Sequence, residues 1–217
     1  MIPCFCMKQE PRTPVQSRSR ERVDMILKTA RDLIGKRGID AVSMREIAQS
    51  AGIQIGSLYQ YFPGKNSLLL AIMREYYDRI NEGTKTLLES VRNAEEFESL
   101  GEKALIQFAE FFQKDPALAN LWAGARAVPE LITEDNLDTH RNAELIVKTG
   151  LRCLPGLKEN DLRPFALYTC HTMGTLVRFA NELDSQQGKA VLEECRQILR
   201  LRLKSLADLS KSRRKKK

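Results

Sequence analysis

The stretch Val42–Asn66 reads VSMREIAQSAGIQIGSLYQYFPGKN. Ser43-Met44-Arg45-Glu46 has the spacing of a capping box, in which the Ser43 hydroxyl and the Glu46 carboxylate each satisfy a free backbone N–H at a helix start. The short helix that follows turns Ile47 and Ala48 inward and stops at Ala51-Gly52. A further helix runs from about Gln54 to Phe62 and ends at Pro63-Gly64. The pattern is therefore helix, tight glycine turn, helix. Ala48 is small enough for the two helices to approach closely, Gly52 supplies the turn, and Leu58 faces inward. Ser57, Tyr59, Gln60 and Tyr61 remain as a polar, aromatic outer face. A second helix of this kind fits a DNA major groove, although the same geometry occurs in proteins that never touch DNA.

Before this stretch, residues 1–16 hold Pro3, Pro11 and Pro14 without periodicity and read as a flexible arm. A helix starts near Ser17 or Ser19, either of which is a capping residue. It carries the apolar stripe Val23, Ile26, Leu27, Ala30, Leu33 and Ile34 and ends at Gly38. After the stretch, a longer helix from Lys65 lines up Leu68, Leu69, Ile72, Met73, Tyr76 and Ile80. Shorter helices are expected over 84–92, 95–113, 117–127 and 134–153, punctuated by Asp115-Pro116, Pro129 and Pro155-Gly156. Two long helices close the chain. One carries Leu162, Ala166, Thr169, Met173, Leu176 and Ala180, the other Leu192, Cys195, Leu199, Leu203 and Leu206, all at spacings of three and four. Such seams pack helix on helix, either against a second copy or in the helices' own core. Residues 211–217 read as a disordered basic tail. The fold class is all-α: an arm (1–16), a helix-turn-helix domain (17–65), a larger helical domain (66–210) and the tail.

The net charge of +7 is unevenly spread. Residues 1–65 hold eleven Lys/Arg against six Asp/Glu, and residues 211–217 add six basic groups. The middle holds 18 basic against 22 acidic residues. A basic N-terminal module attracts polyanions, of which nucleic acid is the commonest. A merely solvated basic surface would look the same by charge alone. Arg12, Arg18, Arg20 and Arg22 in the arm could enter a minor groove or add nonspecific affinity. The five cysteines, Cys4, Cys6, Cys153, Cys170 and Cys195, form neither a C-x-x-C pair nor an even-numbered framework. With His140 and His171 the only histidines, no His-rich metal cluster is possible. No cofactor or metal is expected, nor an enzyme, since neither paired catalytic groups nor a glycine-rich phosphate loop is present. No stretch approaches the ~18 apolar residues of a membrane span, and the start lacks the apolar run of a signal peptide. The expected location is the cytoplasm, without a membrane partner.

Ser43-x-Arg45-x-Ile47-Ala48, Ala51-Gly52, Gly56-Ser57-Leu58-Tyr59-x-Tyr61-Phe62, Lys65 and Leu68 together resemble the signature of the TetR repressors. The match covers roughly residues 20–70. The resemblance implies a transcriptional regulator that binds double-stranded operator DNA as a homodimer and is released by a small-molecule effector. Ser43, Ser57, Tyr59, Tyr61 and Lys65 would then contact phosphates, which fix register without reading sequence. Arg45, Gln54 and Gln60 would reach base edges, as Arg suits guanine and Gln suits adenine. Tyr61 has core packing beside Phe62 as its other reading, and Arg45 a surface salt bridge. In the family the C-terminal domain holds the effector pocket and makes the dimer. The expected pocket residues are Phe108, Phe112, Trp122, Arg126, Tyr168, His171 and Met173, groups that also fill ordinary cores. The expected dimer residues are Leu162, Ala166, Thr169, Met173, Leu176, Leu192, Cys195, Leu199 and Leu203. Repression is the family's commoner mode, with activation on the same fold as the alternative. A helical interaction protein that lost DNA binding is the competing reading.

Overall fold

Apolar residues three and four apart set the geometry from the first helix onward. In the computed structural model, which describes residues 14–125 and 128–215, α1 (Pro14–Arg37) buries Ile26, Leu27, Ala30 and Ile34. Val23 and Leu33 pack beside them, half-buried. Gly38 closes the helix at φ +79, a region that costs an L side chain roughly 1–2 kcal/mol. Its N–H donates to the Ile34 carbonyl at 2.8 Å. α2 (Met44–Ser50) and α3 (Ile55–Tyr61) are joined through Gly52 at φ +64. Ile47, Ala48 and Leu58 face the interior. Arg12, Arg126, Cys4 and Cys6 lie outside the described residues, as do the arm before Pro14 and the last two lysines.

α4 (Lys65–Ser90) is one helix where a break was expected after residue 82. A single glycine, Gly83, costs about 1 kcal/mol in a helix interior, too little to end one anchored by Leu68, Leu69, Ile72 and Met73 at one end and Leu88 at the other. α5 (Ala94–Glu98) and α6 (Leu100–Lys114) follow. α7 (Pro116–Ala125) starts where Asp115 Oδ1 accepts from the Ala117 N–H at 3.0 Å. α8 (Pro129–Cys153) begins five residues earlier than the sequence pattern suggested, because Pro129 sits at the first helical position, where its missing N–H costs nothing. α9 (Glu159–Glu182) and α10 (Ser185–Lys215) complete the chain. The described residues contain no strand. They contain no helix long and apolar enough to cross a membrane, and no group of side chains that could hold a metal ion.

α8 packs between α4 and α9, and α10 packs on α9, α6 and α5. One apolar core runs from Ile26 and Leu58 in the first module through Leu68 and Ile72 of α4 to Phe112, Leu121 and Leu199. A second lies at the far end, around Leu88, Phe97, Val147, Leu162 and Leu206.

Two expectations for the last helices are corrected. Residues 211–215 are the final turn of α10, not a disordered tail. Arg213 donates to both Asp161 carboxylate oxygens, which holds that carboxyl below its usual range. Most of the seam expected at a dimer faces inward, while Leu176 joins neither apolar core. Leu162, Ala166, Met173, Leu199 and Leu203 are buried within the protomer, and Thr169, Leu176, Leu192 and Cys195 are half-buried. Spacing identifies the apolar face of a helix but not its neighbour. The outward faces of these helices instead carry Tyr168 (62% exposed), Phe179, Ile198 and Leu201 (69% exposed).

Helix contacts generate a paired stability prediction. A Cβ on Gly156 would lie 2.3 Å from the Ser210 carbonyl oxygen, whereas one on Gly83 meets nothing within 4 Å. Gly156→Ala is expected to cost about 1–3 kcal/mol by overpacking, and Gly83→Ala to add about 0.5–1 kcal/mol of helix stability. Urea midpoints at unchanged slope are the measurement, and equal midpoints for the two variants would contradict it.

Candidate nucleic-acid interface and ligand cavity

The capping box fixes the start of the helix-turn-helix module. Ser43 Oγ accepts from the Glu46 N–H and donates to Glu46 Oε2, and the Ser43 N–H donates to the same carboxylate at 3.0 Å. Arg37, in the last turn of α1, donates to Glu46 Oε1 at 2.8 Å and to the Ala41 carbonyl at 2.6 Å. The Arg37 guanidinium and the Ser43 backbone and hydroxyl donors pull the Glu46 carboxyl down to about 2. The end of α1 and the start of α2 are thereby joined by charge-assisted hydrogen bonds, which are shorter and stronger than neutral ones. Ser43, expected at a phosphate, already donates its hydroxyl proton within this box.

On α3 and its flanks Gln54, Tyr59 and Gln60 are exposed, as is Arg45 on α2. They lie on the solvent side, opposite buried Leu58. Arg45 makes no salt bridge among the described residues. Ser57 and Tyr61 are half-buried, and the Tyr61 ring packs against the core beside Phe62. Lys65 stands at the start of α4, where its Nζ donates to the Ile39 carbonyl at 2.7 Å. That bond ties α4 to the α1–α2 turn and leaves further ammonium donors.

A second feature lies in the larger helical layer. α4, α6, α7, α8 and α9 line a partly open cavity of about 190 Å³. Ile80, Leu87, Phe108, Phe111, Trp122 and Met173 supply apolar walls. Trp122 sits edge-on to Tyr77 at 5.5 Å between ring centres and beside Phe112 at 5.4 Å. The Arg79 guanidinium lies 4.8 Å over the Phe111 ring, a cation–π position. The polar side is built from α8 and α9. Asn142 donates to Asp138 Oδ2 at 2.9 Å and to the Asp138 backbone carbonyl at 3.0 Å. Tyr77 donates its hydroxyl to Asp135 at 2.9 Å, and burial pushes the Tyr77 phenol up. Asp138 is only 8% exposed, and burial raises its carboxyl to about 7. Asp138 Oδ1 and Thr169 Oγ1 have no hydrogen-bond partner in the protein.

Of the expected pocket residues, Phe108, Trp122, His171 and Met173 line this cavity. Phe112 lies behind them, buried against Phe108 and Trp122. Tyr168 does not belong to the cavity: it is one position from Thr169 on α9 and points outward. Arg126 is outside the described residues. Asp135, Asp138 and Asn142 escaped the sequence reading, and Thr169 was expected at the dimer seam instead. Their signal was present, because Asp138 and Asn142 occupy the stripe of α8 that also holds buried Leu131, Ala143 and Val147. A carboxylate in an apolar stripe is costly unless something pairs with it.

Comparison with known proteins places this architecture. Residues 26–72 match the family described as "Bacterial regulatory proteins, tetR family". Residues 95–207, more than half of the chain, match "Tetracyclin repressor-like, C-terminal domain". The chain belongs to the TetR family. The boundary between the two matches falls along α4. The HTH-type transcriptional repressor KstR of Rhodococcus jostii is 34% identical over 118 residues, covering 52% of this chain and 53% of KstR. KstR2 of Mycolicibacterium smegmatis is 40% identical over 68 residues, 31% of this chain and 32% of that one. The alignments span about half or less of the length of the curated relatives first matched. Among solved structures, a TetR-family regulator from Streptomyces coelicolor superposes with a TM-score of 0.66 at 23% identity, covering 85% of this chain and 99% of that one. RolR in complex with resorcinol superposes with a TM-score of 0.56 at 16% identity, covering 90% and 95%. These likenesses establish a shared TetR fold.

The buried carboxyl generates a pH prediction. Asp138 is raised in the folded protein relative to the unfolded chain, so between pH 4 and 7 the native state binds the extra proton and stability falls as pH rises. Asp138→Asn removes that dependence. Its stability relative to the unmodified protein should improve from pH 5 to pH 8 in chemical denaturation, and a constant difference would refute the assignment.

Proposed function

We propose that this TetR-family chain is a dimeric, sequence-specific DNA-binding transcriptional regulator, acting as a repressor that a small molecule releases from a palindromic operator. The observation that carries the reading is α7. This helix presents Trp122 to the cavity. On the same helix, Asn120 donates to the Ile34 and Gly35 carbonyls at the end of α1, at 3.0 and 3.3 Å. Gly124 meets the Ile39 side chain so closely that an added Cβ would lie 2.5 Å from it. A ligand that repositions Trp122 therefore acts on the helix that seats the reading module. Such a ligand releases DNA only if it binds the non-operator conformation more tightly.

In this reading α3 lies in the major groove. Arg45, Gln54 and Gln60 meet base edges, and Ser57, Tyr59, Tyr61 and Lys65 meet phosphates. Ser43 contributes chiefly by capping α2. A second copy covers the outward apolar faces of α9 and α10, and the two-fold pair sets the reading helices one DNA turn or a small multiple apart. Phe108, Trp122, His171 and Met173 contact the effector. KstR is a repressor by its name and RolR has been crystallised with resorcinol, which favours both repression and a small-molecule ligand here.

Selection from a random DNA library at two salt concentrations tests the reading. A palindrome enriched at both salts is expected; binding that disappears for every sequence at the higher salt would leave only a nonspecific polyanion surface. Gln60→Ala should relax preference at one operator position by about 1–3 kcal/mol. Lys65→Ala should weaken all sequences alike and reduce the salt slope by about one.

The dimer surface has its own test. Phe179→Glu with Leu201→Glu should sediment as a monomer and bind the half-sites independently, with helix content intact. A dimer that survives both substitutions would place the interface elsewhere.

A further inference from the structure

The cavity holds a buried carboxyl with one oxygen unpartnered. Asp138 is more than nine-tenths buried, and one carboxylate oxygen lacks any hydrogen bond. The groups around it compensate it only in part. On α8, Arg141 favours the charged form but makes its ion pair with Asp78, at 3.7 Å, and Asp135 is a like charge. From α4, Tyr77 gives its hydroxyl to Asp135, and the Arg79 guanidinium lies over the Tyr76 and Phe111 rings. From α9, Cys170 and His171 face the cavity, and the Cys170 thiol is pushed up to about 12 by burial and by Asp138. The nearby Thr169 hydroxyl is buried without a partner as well. A buried carboxylate without a cation is strongly destabilising, so its retention beside two open acceptor positions marks a place for a donor that the protein does not supply.

We propose that the effector is a small apolar amine, whose protonated nitrogen donates to Asp138 Oδ1 and Thr169 Oγ1 and whose hydrocarbon body lies against Phe108 and Trp122. The proposal rests on the cavity being the effector site. Size follows from the volume, about 190 Å³, below the roughly 300 Å³ at which sites for drug-sized ligands begin. Charge follows from the acidic groups Asp135 and Asp138, set against Arg79, whose guanidinium is held over the Tyr76 and Phe111 rings. A neutral hydroxyl would satisfy one oxygen and leave the carboxylate uncompensated. An ammonium supplies both the hydrogen bonds and the missing positive charge, and charge-assisted bonds are the stronger kind.

Trp122 is the chain's single tryptophan and lines the cavity, so its emission reports occupancy in the full-length protein. The probes are phenethylamine, phenethyl alcohol and phenylacetate, which share a ring and differ in the head group. At pH 8 the amine should bind about tenfold or more tightly than the alcohol, and phenylacetate weakest. In Asp138→Asn the amine should lose that advantage while the alcohol keeps its affinity. In the unmodified protein the amine should weaken about tenfold from pH 8 to pH 6, as Asp138 takes up a proton. This pH series needs no variant to fold. Histidine is the other side chain that changes charge near neutrality. A pH dependence that survives Asp138→Asn but vanishes in His171→Gln would overturn the assignment to Asp138. Equal binding of alcohol and amine, or tighter binding of phenylacetate, would overturn the amine class while leaving the cavity as the effector site. No response of Trp122 emission to any of the three probes would remove the cavity reading itself, and the amine with it.

Discussion

The end of α1 is held from two directions, and the seating of α2 and α3 against the larger helical layer depends on that grip. Lys65 at the start of α4 binds the Ile39 carbonyl. Asn120 of α7 binds the Ile34 and Gly35 carbonyls in the last turn of α1. The Ile39 side chain fills the space that Gly124 leaves open. On the other side of the same turn, Arg37 fastens α1 to the α2 capping box. The module at residues 17–65 is thus not an independent bead on a linker. Its last turn is seated by helices of the larger layer, and one apolar core passes through both.

This seating explains how a cavity can matter at a distance. α4 lines the cavity between Arg79 and Leu88 and reaches the α1–α2 turn through Lys65, and α7 lines it with Trp122 and holds the last turn of α1 through Asn120. Tyr76 of α4 donates to Asp115, the residue that caps α7, so the two helices are also joined to each other. Packed helices transmit displacement because protein interiors have little free volume to absorb it. The cavity wall and the helix-turn-helix module are thereby joined through packed helices in direct contact, the route along which the proposed ligand response would act.

The polar side of the cavity illustrates a cost retained against stability. Asp138 occupies a position that a leucine could fill, and filling it would remove a desolvated carboxylate from the core. Departures from local consistency of this sort concentrate at functional sites. The exposed aromatic and aliphatic side chains of α9 and α10 are another such departure, since Tyr168, Phe179, Ile198 and Leu201 lie on two helices whose opposite faces are buried.

Local chemistry made the first module legible from residue order alone. The capping box, the Gly52 turn and the inward Leu58 depend on neighbours within a few positions, so Ser43-x-x-Glu46 and Gly56-Ser57-Leu58-Tyr59 specify them without reference to the rest of the chain. The apolar stripe of α1 was equally clear, because period alone selects a helix face. What residue order could not decide was which surface each face meets. The stripes on α9 and α10 obeyed the spacing of a dimer seam and turned into the protomer's own core, while a less regular outward stripe stayed exposed. Nor could it decide that Asp138, Asn142 and Thr169, on two helices, converge beside Trp122 from a third. Such convergence is set by long-range packing, where side chains remote in sequence become neighbours only after the helices have closed on one another.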